Sequence, residues 1–284
     1  MSDLTMRRRD HGQLLSRLPI GLLLGLYVTA NLYPFIWMVA TSFKTRTQSI
    51  VDNGLIPHPL TGVGWVNVWH QIDAAAAFKN SLIYTSASVL GVLIIYPMAG
   101  FIFAHVRFRG RETLFAALVS GLLVPGIVLL VPTVILAQET GLINTWVGVL
   151  LPTIAAAGPV PLYLMRNYYR LLPGELLDAA RIDGANYFTA FRRIYLPLSV
   201  PALTTVSILT LVYVWNAYIL PSLLLTDGSK ITLPLALFNL NTSGSPGRNE
   251  LMAGAIMVIL PLIVAFLSLQ RYYIAGLTAG ATKS

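Results

Sequence analysis

Long uncharged runs separated by short polar segments organise this chain. Six windows contain no Asp, Glu, Lys or Arg: Leu18 to Phe43, Asn80 to Ala104, Thr113 to Gln138, Thr140 to Met165, Ile194 to Thr226 and Leu251 to Gln270. Each holds the roughly 20 residues that a helix needs to cross about 30 Å of hydrocarbon. Lipid offers backbone amides no water, so their hydrogen bonds close within each segment. The pattern therefore predicts an all-α polytopic membrane protein with six transmembrane helices, at 18–43, 80–104, 113–138, 142–165, 198–225 and 251–272. A membrane barrel needs alternation over segments of roughly ten residues, and these runs are continuously apolar instead.

The polar segments divide the chain into an N-terminal arm, 1–17, a membrane domain, 18–274, and a tail, 275–284. Arg7, Arg8 and Arg9 ahead of the first run resemble a signal peptide, but the run is too long and lacks a small-residue cleavage site, so it reads as a spanning helix. Lys44 to Lys79, whose Pro and Gly break helix and whose Trp65 and Trp69 suit the membrane interface, predicts a small extracytoplasmic cap. Asp227 to Glu250 reads as an irregular loop from its Asn, Ser, Gly and Pro. Pro125, Pro132, the run Gly158 to Pro161, Pro201 and Pro221 mark helices that kink.

Composition supports this picture: 56% of the 284 residues are hydrophobic and 11% charged, against roughly 25% charged in a soluble domain. No cysteine is present, which excludes disulfides and thiolate metal sites. Of the 19 basic residues, Lys44, Arg46, Lys79, Lys230 and Arg248 fall on one side of the predicted membrane, and the remaining fourteen fall on the other. The positive-inside rule then places both termini in the cytoplasm, and topology accounts for the net charge of +8 without a nucleic-acid partner.

Between the fourth and fifth windows, Glu175 to Leu198 reads "ELLDAARIDGANYFTAFRRIYLPL" and predicts two short helices. Pro173 suits a first turn, and Glu175 and Asp178 favour the positive end of the helix dipole. Asp183 and Gly184 stop that helix, Asn186 caps a second one, and Leu196 and Pro197 close it. Ala179 and Ala180 give the first helix a flat side that another protein can approach. The segment resembles the cytoplasmic motif of binding-protein-dependent ABC importer permeases: Glu-Ala-Ala, three residues, Gly, nine residues, Ile, one residue, Leu-Pro. Those positions are Asp178, Ala179, Ala180, Gly184, Ile194, Leu196 and Pro197, with every spacing kept and Asp in place of Glu. "NSLIYTSASV", "FIFAHVRFRGRETLF", "GLINTWVGVLLP" and "GLTAGATKS" are similar to the carbohydrate-uptake branch, of maltose-permease type.

The resemblance implies an ABC type I importer permease bundle in the cytoplasmic (inner) membrane, with a coupling loop at 170–197. It further implies a heterodimer with a second permease subunit, two ATPase domains in the cytoplasm, and an extracytoplasmic solute-binding protein that delivers a sugar. The chain would be non-catalytic and bind no cofactor, with ATP and Mg2+ held by the partner ATPase. ATPase coupling would fall to Glu175, Asp178, Ala179, Ala180, Asp183, Gly184, Ile194, Leu196 and Pro197. A sugar path needs hydroxyl partners and aromatic faces, and the candidates are Tyr213, Trp215, Asn216, Tyr218, Ser207 and Ser88, with Thr204 extending the polar lining. At helical spacing, Tyr213 and Asn216 share one face and Trp215 and Tyr218 a neighbouring one. An ion-coupled secondary transporter is the alternative, but it would place ionisable residues inside the membrane and the six windows hold no carboxylate or Lys. An intramembrane enzyme is disfavoured because no metal-ligand spacing is present and the four histidines are scattered. A phosphate-binding loop is also missing, so energy must come from a partner.

Overall fold

The computed structural model describes the backbone of residues 3–281 and the side chains of 19–242 and 244–268. The helices are α1 (Asp3–Ser42), α2 (Arg46–Val51), α3 (Val63–Gln71), α4 (Ala74–His105), α5 (Arg111–Val119), α6 (Leu130–Glu139), α7 (Trp146–Ala157), α8 (Pro159–Leu171), α9 (Glu175–Ile182), α10 (Tyr187–Ala190), α11 (Leu196–Leu198), α12 (Val200–Trp215), α13 (Ile219–Leu224), α14 (Leu233–Ser243) and α15 (Arg248–Ala281). Among the described residues, three helices are long and apolar enough to cross a membrane, and the number rises to six if each of three bent pairs is one span.

The bends are where the structure departs from six straight rods. The third span breaks by 98° at Val124 and Pro125. Val124 is extended at φ −88°, ψ 117°, the conformation that a following proline imposes. The fourth span turns by 47° at Gly158, between α7 and α8, and continues to Leu171 rather than ending near 165. A 77° turn at Ser199 separates Tyr187–Leu198 from α12. The fifth span also stops at Trp215, short of the expected 225, and restarts as α13.

Other boundaries shift for local reasons. α4 starts at Ala74, six residues before the uncharged window, because Asp73 caps the amide of Ala76 and four alanines follow. The chain from Asp3 joins α1 directly rather than forming a separate arm, and α15 continues to Ala281. The expected irregular loop 227–250 contains α14, which opens on Pro234 and carries Leu, Ala and Phe at helical spacing. Residues 282–284, the end of the expected tail, lie outside the described residues, as do the side chains of Arg7, Arg8, Arg9 and Arg17.

Two compact units result. The first comprises 1–70 and 245–257. Its polar core is Lys44, fully buried, whose Nζ donates to the carbonyls of Asp52 (2.7 Å) and Gly54 (2.6 Å). Trp65 packs on Phe43 and donates Nε1 to the Ser42 hydroxyl at 3.2 Å, so it is a packing residue here, while Trp69 stays exposed. Glu250 ties α3 to the start of α15, accepting from Asn67 Nδ2 (2.9 Å) and the Gly247 amide (2.8 Å).

The second unit, 71–244 with 258–284, is built around α4, which packs on α7, α8 and α12. At Gly100, a Cβ would lie 2.7 Å from Met165 Cβ and 2.9 Å from the Arg166 amide, so the absent side chain lets α4 and α8 backbones touch. Arg166, almost fully buried, donates Nε to the Phe103 carbonyl (3.2 Å), grips the Glu112 carboxylate and lies 3.8 Å over the Phe115 ring. A charge at that depth is tolerable because Nε and Nη2 are paired and the guanidinium lies on an aromatic ring.

Candidate functional site

The charged connector after α8 is held on the bundle by an inward half and leaves an outward half free. Leu177 and Ala180 of α9 and Ala190, Phe191 and Tyr195 join one core with Val92 and Phe101 of α4, Met165 and Tyr169 of α8 and Val206 of α12. Ala185, Ile194 and Leu196 pack against its edge. Glu175, Asp178, Ala179, Asp183, Gly184 and Pro197 are exposed. Ala180 therefore belongs to the anchor, and only Ala179 of the expected flat pair faces out. Pro173 also lies outside α9, whose N-cap position is Gly174.

The turn between the two short helices has defined geometry. Gly184 sits at φ +80°, the left-handed region that penalises a Cβ. Its amide donates to the Arg181 carbonyl (3.1 Å), and the Ala185 amide donates to the Ala180 carbonyl (2.9 Å). These two bonds satisfy the last carbonyls of α9 and fix its exit direction. Asn186 Oδ1 then accepts the Thr189 amide at 2.8 Å and starts the second helix. That helix does not end at Leu196 and Pro197. It passes through a wide π-turn at Phe191–Tyr195 and ends at Ser199, where Tyr168 donates to the Leu198 carbonyl (2.8 Å) and the Tyr169 hydroxyl meets Ser199 Oγ (3.2 Å). Two α8 tyrosines thus pin the bend to the bundle.

Sequence reasoning overlooked two outward residues. Ile182 is 86% exposed and Phe188 60% exposed, large apolar side chains in a polar segment. The signal for Ile182 was its spacing: it lies three and four residues after Ala179 and Asp178, on the face opposite Leu177 and Ala180.

The candidate lining residues are not on one surface. Tyr213 and Asn216 are both exposed. Trp215 is instead buried, donating Nε1 to the Val258 carbonyl at 2.9 Å with its ring edge-on to Phe78. It does not share a helical face with Tyr218, because α12 ends between them; Tyr218 stacks on Phe238 at 4.9 Å. Ser88 has no exposed surface. Ser207 and Thr204 are half-buried and turn their hydroxyls back to the Leu203 and Val200 carbonyls. Of the six, Tyr213, Asn216 and Tyr218 are exposed.

Beside this region the loops lock together. Asn80 Nδ2 donates to the carbonyls of Ser229 (2.8 Å) and Ile231 (3.0 Å), and Lys230 Nζ donates to the Asn144 carbonyl (2.7 Å). Asp227 accepts the Ser229 amide and hydroxyl, and these bonds, with Lys230 nearby, hold its carboxyl below the ordinary aspartate range.

Comparison with known proteins gives consistent matches. The profile of a family described as binding-protein-dependent transport system inner membrane component matches residues 97–278. The trehalose transport system permease protein SugB of Mycobacterium tuberculosis is 32% identical over 260 residues, covering 91% of this chain and 94% of that one. The melibiose/raffinose/stachyose import permease protein MelC of Bacillus subtilis is 30% identical over 265 residues, covering 93% and 96%. Among solved structures, a chain of a bacterial ABC transporter that imports the acidic polysaccharide alginate superposes with a TM-score of 0.80 at 23% identity, covering 92% of this chain and 98% of that one. This last likeness concerns the fold.

Proposed function

Because the chain belongs to the family of binding-protein-dependent transport system inner membrane components, we propose that it is one half of the membrane pore of an ATP-driven importer for a sugar or sugar-like solute. The other half is a second, homologous permease subunit. Two ATPase domains dock on the side that carries the α9–α11 connector, and a solute-binding protein delivers the sugar to the opposite side. Both termini lie in the cytoplasm, as the arginine distribution favours. This chain binds no nucleotide; ATP and Mg2+ are held by the ATPase, and the chain itself performs no catalysis.

The observation that carries this reading is the two-sided construction of the connector. Its inward half is buried in the bundle core, so a push on its outward half is transmitted to α4, α8 and α12 as a rigid body. Its outward half pairs a small residue, Ala179, with a projecting Ile182 and flanking carboxylates, a shape that suits insertion into a cleft of another protein. ATP-driven closure of the ATPase pair would move this element and switch the pore between inward and outward access. The sugar class is supported by the names of the relatives, which transport trehalose or raffinose-type saccharides. Tyr213, Asn216 and Tyr218 would offer aromatic faces and hydrogen bonds to such a solute.

The test is reconstitution of the chain with its partner permease, ATPase and binding protein in vesicles. Uptake of a saccharide should require all components and ATP. Uptake by this chain alone, driven by a proton or sodium gradient, would refute the proposal.

A further inference from the structure

The turn between α4 and α5 carries Arg107, Arg109 and Arg111 within "HVRFRGRE". Beyond their contribution to topology, we propose that this turn is a binding site for the headgroup of an anionic phospholipid, an assignment that rests on the cytoplasmic placement of the turn argued above. The first ground is charge. Glu112 is the acidic residue of this turn, and its carboxylate is already shared by Arg166, Arg111 (2.9 Å) and Arg170 (3.7 Å). Arg107 and Arg109 are exposed, and no carboxylate among the described residues lies within ion-pairing distance of either. Their charge is left uncompensated by the protein.

The second ground is shape. A shallow open cleft is lined by Arg107, Phe108, Gly110, Arg111, Glu112 and Thr113. The third is the surface beside it. Ile102, on the last turns of α4, and Leu114 and Leu118, on α5, are exposed, and Phe108 is exposed between the two arginines. Guanidiniums in water beside an apolar wall match a phosphodiester joined to acyl chains, whereas a free phosphate has no use for the wall. Arg192 and Arg193 on the connector are also exposed, but their segment, 175–198, sets Glu175, Asp178 and Asp183 against three arginines and so carries no net positive charge, unlike the turn. In the cytoplasmic leaflet, where anionic lipids are enriched, each such arginine strengthens attraction about fivefold.

Native mass spectrometry of the full-length chain, released from nanodiscs containing equal phosphatidylglycerol and phosphatidylcholine, tests this. Both leaflets are identical there and no transport is read, so the outcome is independent of orientation and of the importer assignment. The wild type should retain phosphatidylglycerol over phosphatidylcholine about 25-fold or more, and added salt should weaken the preference. Arg107→Gln with Arg109→Gln should reduce retention about 25-fold, while Arg192→Gln with Arg193→Gln should leave it within about twofold. Equal retention of the two lipids by the wild type, which needs no variant, would overturn the site. So would equal losses from both double substitutions, which would indicate net charge alone. Displacement of phosphatidylglycerol by millimolar inorganic phosphate would identify a free-anion site and overturn the lipid assignment.

Discussion

The connector, α9 to α11, and the segment that follows it, α12 to α13, are adjacent in sequence and were legible to very different degrees. In the connector, each turn of chain is set by a residue with a local mechanism: Asn186 caps, Gly184 reverses, and the acidic first turn suits the dipole. In α12 to α13 the side chains of interest are aromatic, and an aromatic residue in an apolar run can pack inward or face outward with equal local plausibility. Trp215 turned inward and Asn216 outward, about 100° apart on the helix, and nothing in the neighbouring sequence says which of the two faces the core. Water-exposed polar chain is specified locally, whereas lipid-embedded chain is specified by what packs against it.

The same contrast explains what the sequence missed elsewhere. The uncharged windows overlap three long apolar helices and three bent helix pairs, the pattern that lipid would impose. They could not separate a kink from a break, because membrane helices tolerate proline when neighbours satisfy the freed carbonyl. Pro221 sits within α13, whereas Pro125 ends a helix with a 98° turn. Side-chain orientation within the connector was half legible. The family spacing marks Asp178, Ala179, Ala180, Gly184, Ile194, Leu196 and Pro197 alike, yet Ala180, Ile194 and Leu196 anchor the element and the others face out. A motif records which positions matter without recording which way they point.

The largest expected effect comes from breaking the inward side chain of α12. Trp215→Ala leaves a cavity and removes a hydrogen bond to Val258. In water such a truncation costs about 3–5 kcal/mol, but lipid is itself apolar, so the transfer part shrinks and about 2–3 kcal/mol remains. Thermal unfolding of the purified chain in detergent should show a clear drop in Tm. An unchanged Tm would return Trp215 to the list of lining residues.

Gly184→Val should act on function more than on folding. A Cβ at φ +80° costs roughly 1–2 kcal/mol, and a branched one more, so the exit of α9 must change. No atom lies within 4 Å of the site where that Cβ would stand, so the penalty is conformational rather than steric. Binding-protein-stimulated ATP hydrolysis should fall about tenfold or more while the subunit reaches the membrane at normal levels. Normal coupling in this variant would reduce the connector to a linker.

Asn216→Ala sharpens the contrast from the other side. Asn216 is exposed and bonds back to its own helix, donating Nδ2 to the Val212 carbonyl at 2.8 Å. Its loss should leave Tm within about 1–2 °C, since surface changes are usually worth under about 0.5 kcal/mol. Uptake should nonetheless fall several-fold if the side chain meets solute, and an unchanged uptake rate would remove it from the path.

The smallest effect concerns pH. Asp227 has a folded pKa below its ordinary value of about 3.9, so its contribution to stability is present above that value and is lost as pH falls through the lower folded pKa. Asp227→Asn should therefore flatten the acid limb of the stability profile below about pH 4 and leave it unchanged near neutrality. An identical acid limb in the variant would show that the Ser229 bonds do not persist in solution.

The most direct test of the central claim uses the absence of cysteine from the chain. Ile182→Cys places a thiol on the outward face of α9 and Leu177→Cys places one in the core. Maleimide labelling of each variant is then measured for the isolated chain and for the assembled transporter. The account predicts that position 182 labels rapidly in isolation and becomes strongly protected when the ATPase is bound, while position 177 labels slowly in both. Equal labelling at 182 with and without the ATPase would mean that the outward face of the connector contacts no partner, and the proposed route from ATP hydrolysis to the pore would be wrong.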